Sequence, residues 1–479
     1  MEPQIVFDCF KRVNQIPRPS KREEKMIAFL QEFGQSLGLP TKVDKTGNVL
    51  ISKPATPGME NKPTVVLQSH MDMVCEKNAD REFNFDTDPI ETYIEGDWMH
   101  AKGTTLGADD GIGVAMQMAA LMSNDIQHGP LECLFTRDEE TGLTGAEGLE
   151  SGFLTGQYLI NLDSEDEGQI FVSCAGGVRT EARFQFKEEE VPAGYFTARV
   201  GVKGLHGGHS GDDINKKFAN ANKLLVRYLC QVMSDTDLRL VDIQSGGLHN
   251  AIPREGWAIV AVPMAYKETL RVKMNVLSAQ VEEEFSATEP TIEWTLESLT
   301  DEEHKLCIEK GVSDKMLRTL HCIHNGVFAM SQDLDWLVET SSNLASIHKI
   351  EGGEVVVTTS QRSSVPSNLE YMASVIRTTF ELGGAKTLTN EGYPGWKMNP
   401  KSEILRIAKE SYVRLFNKEP EILAIHAGLE CGLFSEKYPG LDMISVGPTL
   451  RGVHSPDERL LIPTVKLVWD HLLDILKHV

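Results

Sequence analysis

At 479 residues the chain is long for one domain, so two or three core-bearing units are expected. Its 41% hydrophobic and 24% charged content is ordinary for a soluble globular protein. The net charge of −23 argues against nucleic acid as a partner, because phosphate binding needs a basic surface, and no apolar run reaches the roughly 18 residues of a membrane span.

In chain order, the opening "MEPQIVFDCFKRVNQ" mixes polar and apolar residues and lacks the apolar core of a signal peptide. "REEKMIAFLQEFGQSLG" then predicts a helix, with Met26, Phe29, Leu30 and Phe33 at helical spacing before a glycine stop. "TKVDKTGNVLISK" predicts a hairpin turning at Thr46-Gly47-Asn48. Next come apolar segments that each break into chemistry-bearing residues. The strand "TVVLQSHMD" ends in His70 and Asp72. The helix "GADDGIGVAMQMAALM" carries Asp109 and Asp110 ahead of its first turn, where carboxylates suit the helix N-terminus. "PLECLFTRDEE" is a strand ending in Glu139 and Glu140, and "QYLINLDSED" is one ending in Asp163.

Strands alternating with helices indicate an α/β fold with a mixed, mostly parallel central sheet. Ligands in such sheets sit beyond the carboxyl ends of the strands, so the acids and the histidine are expected along one edge. Around Gly176-Gly177 the pattern changes to strands near 196–203, 238–262, 291–297 and 354–360. Helices are expected near 218–233, 268–285 and 368–382, with a further helical stretch before 354. The units resemble two similar layers without a residue-level repeat. After Gly384 the chain resumes helix (402–416), strand (441–446) and helix (464–477). The expected organisation is a catalytic domain in two parts, 1–176 and 385–479, interrupted by an α+β domain over 177–384. Eight cysteines are scattered along the chain without a CxxC pair, which fits buried thiols in a reducing compartment and a cytoplasmic protein.

Three adjacent carboxylates, Asp138, Glu139 and Glu140, at the end of an apolar strand need compensation, and a pair of divalent cations is the economical one. The candidates are His70, Asp109, Glu140, Asp163 and, far along the chain, His454 in "RGVHSPDE". Two imidazoles and three carboxylates suit two zinc ions, with manganese or cobalt also acceptable. Each piece alone has an ordinary explanation: a surface pair, a solvated loop, a helix cap. Their joint occurrence at successive strand ends is what points to a metal site.

These residues also carry a family resemblance. "HMD" at 70–72, "LGADDG" at 106–111, "DEETG" at 138–142, "NLDSE" at 161–165 and "HSPDE" at 454–458 follow the order seen in dinuclear zinc exopeptidases, the group holding carboxypeptidase G, aminoacylase and the dipeptidases. "KGLHGGHSG", "NAIPRE", "HAGLECGLF" and "GPTLRGVHSPDE" are more similar still to its bacterial dipeptidases, and the resemblance spans the whole chain. It implies that Asp109 bridges two ions, with His70 and Asp163 completing one site and Glu140 and His454 the other. Asp72 would orient the His70 ring, and Glu139 would be the general base. Asp110 is the alternative bridge, and Asp138 adds repulsion beside the base. The inserted domain would act as a lid whose His209, rather than His206, stabilises the oxyanion. Asn250 and Arg362 would hold the substrate, with Arg254 as the alternative carboxylate clamp, and Gly428 and Glu430 would line the site. The implied function is hydrolysis of Xaa-His and other dipeptides, with short peptides as partners and a homodimer as the assembly. An aminotripeptidase, an N-acyl amino acid amidohydrolase and a non-catalytic metal-binding scaffold are the alternatives.

Overall fold

The computed structural model describes residues 1–300, 305–332 and 334–479. The chain divides into two compact units: Met1–Ser173 with Trp396–Ala424 and Leu429–Val479, and Cys174–Gly395 with Ile425–Gly428.

The first unit is built on an eight-stranded sheet. At its centre, Leu131–Thr136, Val65–His70, Tyr158–Asn161 and Asp442–Ser445 run parallel in that spatial order. The flanking strands Thr41–Val43 and Val49–Lys53 form the expected antiparallel hairpin, with Val43 opposite Val49. Asp44 closes the turn by accepting the amides of Thr46, Gly47 and Asn48 at 2.8–2.9 Å, and Gly47 supplies the positive φ of 104°. Val65–His70 and Leu131–Thr136 are buried along their whole length. Continuous apolar runs of this kind are the mark of parallel strands covered on both faces. The helix Ala108–Met122 is apolar on nearly every side and is enclosed accordingly. Asp109 and Asp110 in its first turn have non-helical dihedrals, and Asp110 Oδ1 caps the helix by accepting the Gly113 amide at 3.1 Å.

The second unit carries a nine-stranded sheet in which the paired strands among the described residues run antiparallel. Eight of its strands fall into two βαββαβ halves, and the ninth, Gly326–Met330, pairs with Val338–Ile350. One half comprises Tyr195–Lys203, Ala221–Asp235, Arg239–Gly246, Gly256–Pro263, Lys267–Glu284 and Glu293–Ser298. The other comprises Gly176–Gln185, Lys310–Cys322, Val338–Ile350, Glu354–Ser363, Pro366–Leu382 and Lys386–Thr389. In each half the fourth strand lies beside the first, then the third, then the second, and the halves join where Arg239–Gly246 pairs Val338–Ile350. The two similar parts are therefore side by side in one sheet, not layers, and one is threaded into the other after its first strand.

Two features depart from expectation. The long strand Val338–Ile350 lies where sequence periodicity indicated none. Its first half is Glu339, Thr340, Ser341, Ser342 and Asn343, all buried, so polar residues occupy positions that alternation would make apolar. The return to the first unit comes at Trp396 instead of 385, because Lys386–Thr389 still pairs with Gly176–Gln185 and Tyr393 exchanges backbone hydrogen bonds with Gly177.

Candidate metal centre

Three strand ends, the start of the helix Ala108–Met122 and one loop of the first unit supply the candidate ligands. His70 terminates Val65–His70, directly opposite Thr136 in the register. Its Nε2 lies 3.0 Å from Asp109 Oδ1 and 3.5 Å from Asp163 Oδ1. His454, at a positive φ of 61°, sets its Nε2 3.1 Å from Asp109 Oδ2 and 3.0 Å from Glu140 Oε2. Each oxygen of Asp109 thus faces a different imidazole, and each imidazole Nε2 has one further carboxylate beside it. Asp110, the alternative bridge, instead caps its own helix, and its other oxygen has no partner.

Asp72 ties the two halves of this arrangement together. Its Oδ1 lies 3.3 Å from His70 Nδ1 and accepts the Glu139 amide at 3.0 Å. Its Oδ2 accepts the Ser20 hydroxyl at 2.8 Å and the Glu140 amide at 3.3 Å. One buried carboxylate therefore lies within ion-pairing distance of the His70 ring and holds the loop bearing both glutamates. Asp138 does not add to the crowding. It adopts a positive φ of 49°, and its carboxylate accepts the hydroxyls of Thr141 and Thr144, the latter at 2.6 Å. Its amide donates to buried Glu23, which also pairs with Arg137 at 2.6 Å. The oxygens of Glu23, Asp72 and Asp138 are so well supplied with donors that this acidic cluster needs no cation.

Electrostatics separate that cluster from the centre itself. Burial, followed by Asp163, Glu140 and Glu430, pushes the Glu139 carboxyl well above its ordinary range. Burial likewise raises Asp163 to about 7. Hydrogen bonds from its ring to Asp109 and Glu140 raise His454 to about 11. Burial penalises the Asp109 carboxylate, yet His454 and His70 hold it far below the usual range. Among the described residues, no lysine or arginine pairs with Asp109, Glu139, Glu140 or Asp163, and buried Glu140 Oε1 has no partner at all. Ligand atoms of His70, Asp109 and Glu140 lie within 4.8 Å of one another. Carboxylates without a lysine or arginine partner, together with two imidazoles, are a donor set that fits two divalent cations.

Two positioning residues carried no such signal in the sequence. Glu458, only 2% exposed, accepts the amides of Leu106, Gly107, Ala108 and Asp109 at 2.7–3.3 Å. Its place in "HSPDE" was legible, its grip on a loop some 350 residues earlier was not. Arg18, 1% exposed, donates to the carbonyls of Met71, Asp72 and Gly107 at 3.3, 2.7 and 2.5 Å. A Cβ on Gly107 or Gly111 would come within 2.5 Å of its guanidinium, which is why both positions are glycine.

Glu430, expected to line the site, is 1% exposed and ties the helix Glu430–Lys437 to two strands. Its Oε2 accepts Gln68 Nε2 at 2.6 Å and the Thr136 hydroxyl at 2.8 Å, and burial pushes it up to about 8.

The other candidates lie in the second unit. His209 Nδ1 meets Asp212 Oδ2 at 3.0 Å, and its Nε2 lies 3.5 Å from Arg362 Nη2. Asn250 is joined to this loop through its backbone, its carbonyl accepting the Ser210 amide at 2.8 Å and Ala251 bridging His209. Gly428 packs against Tyr393, to which Arg362 Nη1 donates at 2.7 Å. The rival residues are placed otherwise: His206 stacks on Phe218 with ring centroids 4.1 Å apart, and Arg254 is exposed.

The chain is 42% identical over 479 residues to the cytosol non-specific dipeptidase of Escherichia coli (strain K12), covering 100% of this chain and 98% of that one. The crystal structure of aminoacylhistidine dipeptidase from Vibrio alginolyticus matches with a TM-score of 0.93 at 42% identity, over 100% of this chain and 97% of that one. An aminopeptidase from Bacillus cereus shares the fold alone, with a TM-score of 0.57 at 16% identity over 99% of this chain and 98% of that one. The family model described as peptidase family M20/M25/M40 matches residues 66–478, and the chain belongs to that family.

Proposed function

We propose that the protein is a metal-dependent dipeptidase that hydrolyses Xaa-His and other dipeptides. The observation that carries this reading is Asp109, whose two oxygens face two imidazoles at 3.0 and 3.1 Å, each flanked by a further carboxylate. Two zinc ions, when bound, supply the charge that polarises a peptide carbonyl and acidifies water. Asp109 is the proposed bridge, His70 and Asp163 the ligands on one side, and Glu140 and His454 those on the other. Asp72 keeps the His70 ring in place through Nδ1 and, through two amides, holds Glu139 in reach of the reacting atoms. Glu139 is the proposed general base. Its place beside the candidate ligands, held by its amide to Asp72, suits a group that takes a proton from the attacking water and gives it to the leaving amine.

From the inserted unit, His209 is proposed to donate to the oxyanion, and Arg362, with Asn250 and Gly428, to hold the carboxylate end of the substrate. That unit is also the proposed lid and dimerisation element. The names of the E. coli and Vibrio relatives support the dipeptide substrates, and the former supports a cytoplasmic location. Assay of dipeptides, tripeptides and N-acyl amino acids, with metal-stripped enzyme and after adding zinc or manganese, tests the proposal. Metal-dependent cleavage confined to dipeptides is expected; a preference for tripeptides or acyl amino acids would overturn the substrate class.

A further inference from the structure

Arg362 lies on Glu354–Ser363, with Ser341 and Gly177 directly opposite it on the two neighbouring strands. Residues in register on adjacent strands share a face, so the three form a row across the sheet. Neutral groups sit over both ends of that row. His426 Nε2 is 2.7 Å from the Ser341 hydroxyl. The Tyr393 hydroxyl fills the place beside Gly177, where a Cβ would meet it at 2.8 Å. Gly428 makes the same allowance on the other side of the phenol, since a Cβ there would approach the ring to 2.7 Å. Two glycines thus clear the space that holds Tyr393 against Arg362.

The guanidinium at the centre is 7% exposed, and its Nε has no partner. Nη1 donates to the Tyr393 hydroxyl at 2.7 Å and Nη2 approaches His209 at 3.5 Å. Among the described residues no carboxylate forms an ion pair with it; Asp212 is turned to His209 Nδ1 instead. Burial, with Arg362 next, drives His426 down to about 3, and burial raises the Tyr393 phenol, so both are uncharged at neutral pH. A buried cation without a carboxylate partner is costly, and a carboxylate with two coplanar oxygens is its natural complement. A hydroxyl has one donor and two lone pairs. The Tyr393 oxygen accepts from Arg362, while its own proton has no acceptor among the described residues.

We propose that Tyr393 is a specificity-determining residue for the free α-carboxylate of the substrate, donating its hydroxyl proton to one carboxylate oxygen while Arg362 engages the other. The proposal rests on the reading of Arg362 as the carboxylate clamp and adds a second, neutral donor to it. Arg362 polarises the phenol by donating to its oxygen, which strengthens the outward hydrogen bond.

The test compares kcat/KM for a dipeptide and its C-terminal amide in the metal-loaded parent, Tyr393→Phe and Arg362→Ala. Tyr393→Phe should lower kcat/KM for the free dipeptide about tenfold, mainly through KM, and leave the amide within about twofold. Its melting temperature should fall by no more than about a few degrees, since the ring remains packed between the glycines and only the hydrogen bond from Arg362 is lost. Equal losses on both substrates, or parent-like discrimination by Tyr393→Phe beside its loss in Arg362→Ala, would overturn the role of Tyr393 alone. Parent-like discrimination by Arg362→Ala would overturn the clamp on which it rests.

Discussion

Asp109 offers one oxygen to each of two imidazoles, and that geometry sets what its removal must do. Asp109→Ala should abolish binding of both metals, measured by metal analysis after equilibrium dialysis. Retention of one ion at parent affinity would mean the two half-sites do not share this carboxylate. Glu139 stands in a different relation to the same centre. It approaches neither imidazole within ion-pairing distance, whereas Glu140 lies 3.0 Å from His454. Glu139→Gln should therefore keep both metals while reducing kcat by at least about 10²-fold, the lower end of what a general base contributes. Which of two adjacent glutamates faces the imidazole is a matter of backbone direction. Asp138 at positive φ turns its own carboxylate to Thr141 and Thr144, and Asp72 receives the next two amides.

At the scale of elements, the site depends on loops being held still. Glu458 gathers four consecutive amides at the start of Ala108–Met122, where a negative charge also complements the helix dipole. Glu458→Gln replaces one acceptor oxygen by an amide that cannot accept, leaving buried N–H groups unsatisfied. A loss of about 1–3 kcal/mol in unfolding free energy is expected, read from urea denaturation. Metal affinity should fall about 10- to 100-fold, read by chelator competition. Unchanged affinity would mean that the loop keeps its shape without this carboxylate. The same scale shows where periodicity reads well and where it does not. Val65–His70 and Leu131–Thr136 were visible because buried parallel strands are continuous apolar runs. Val338–Ile350 was not, because its buried serines, threonine and asparagine satisfy one another and their neighbours by hydrogen bonds, as Asn343 does with the Ala251 carbonyl and Thr340 with Ser363.

For the whole molecule, all five candidate ligands belong to the first unit. A ligand that binds only the folded state stabilises by RT ln(1 + [L]/Kd), about 4 kcal/mol at a thousandfold excess over Kd. Calorimetry of the chelator-treated protein should therefore show one transition that moves up on adding zinc and one that does not. A single transition shifting as a whole would mean that the two units unfold cooperatively.

The amino-acid sequence alone was enough for the α/β class, and it suggested an insertion between two parts of one unit and candidate ligands at successive segment ends. Those features are local: apolar runs, helix spacing, and acids or a histidine where a strand stops. Tertiary structure decided the rest, because it depends on residues far apart in the chain meeting in space. Only the fold brings His454 to Asp109 and Glu140, or closes Glu458 on the amides of 106–109. It buries Glu430 beneath Gln68 and Thr136, and sets Tyr393 beside Arg362 over a glycine of a third strand. A carboxylate or a phenol has the same spelling in every setting; its partners and its burial determine its charge, and those exist only once the chain has folded.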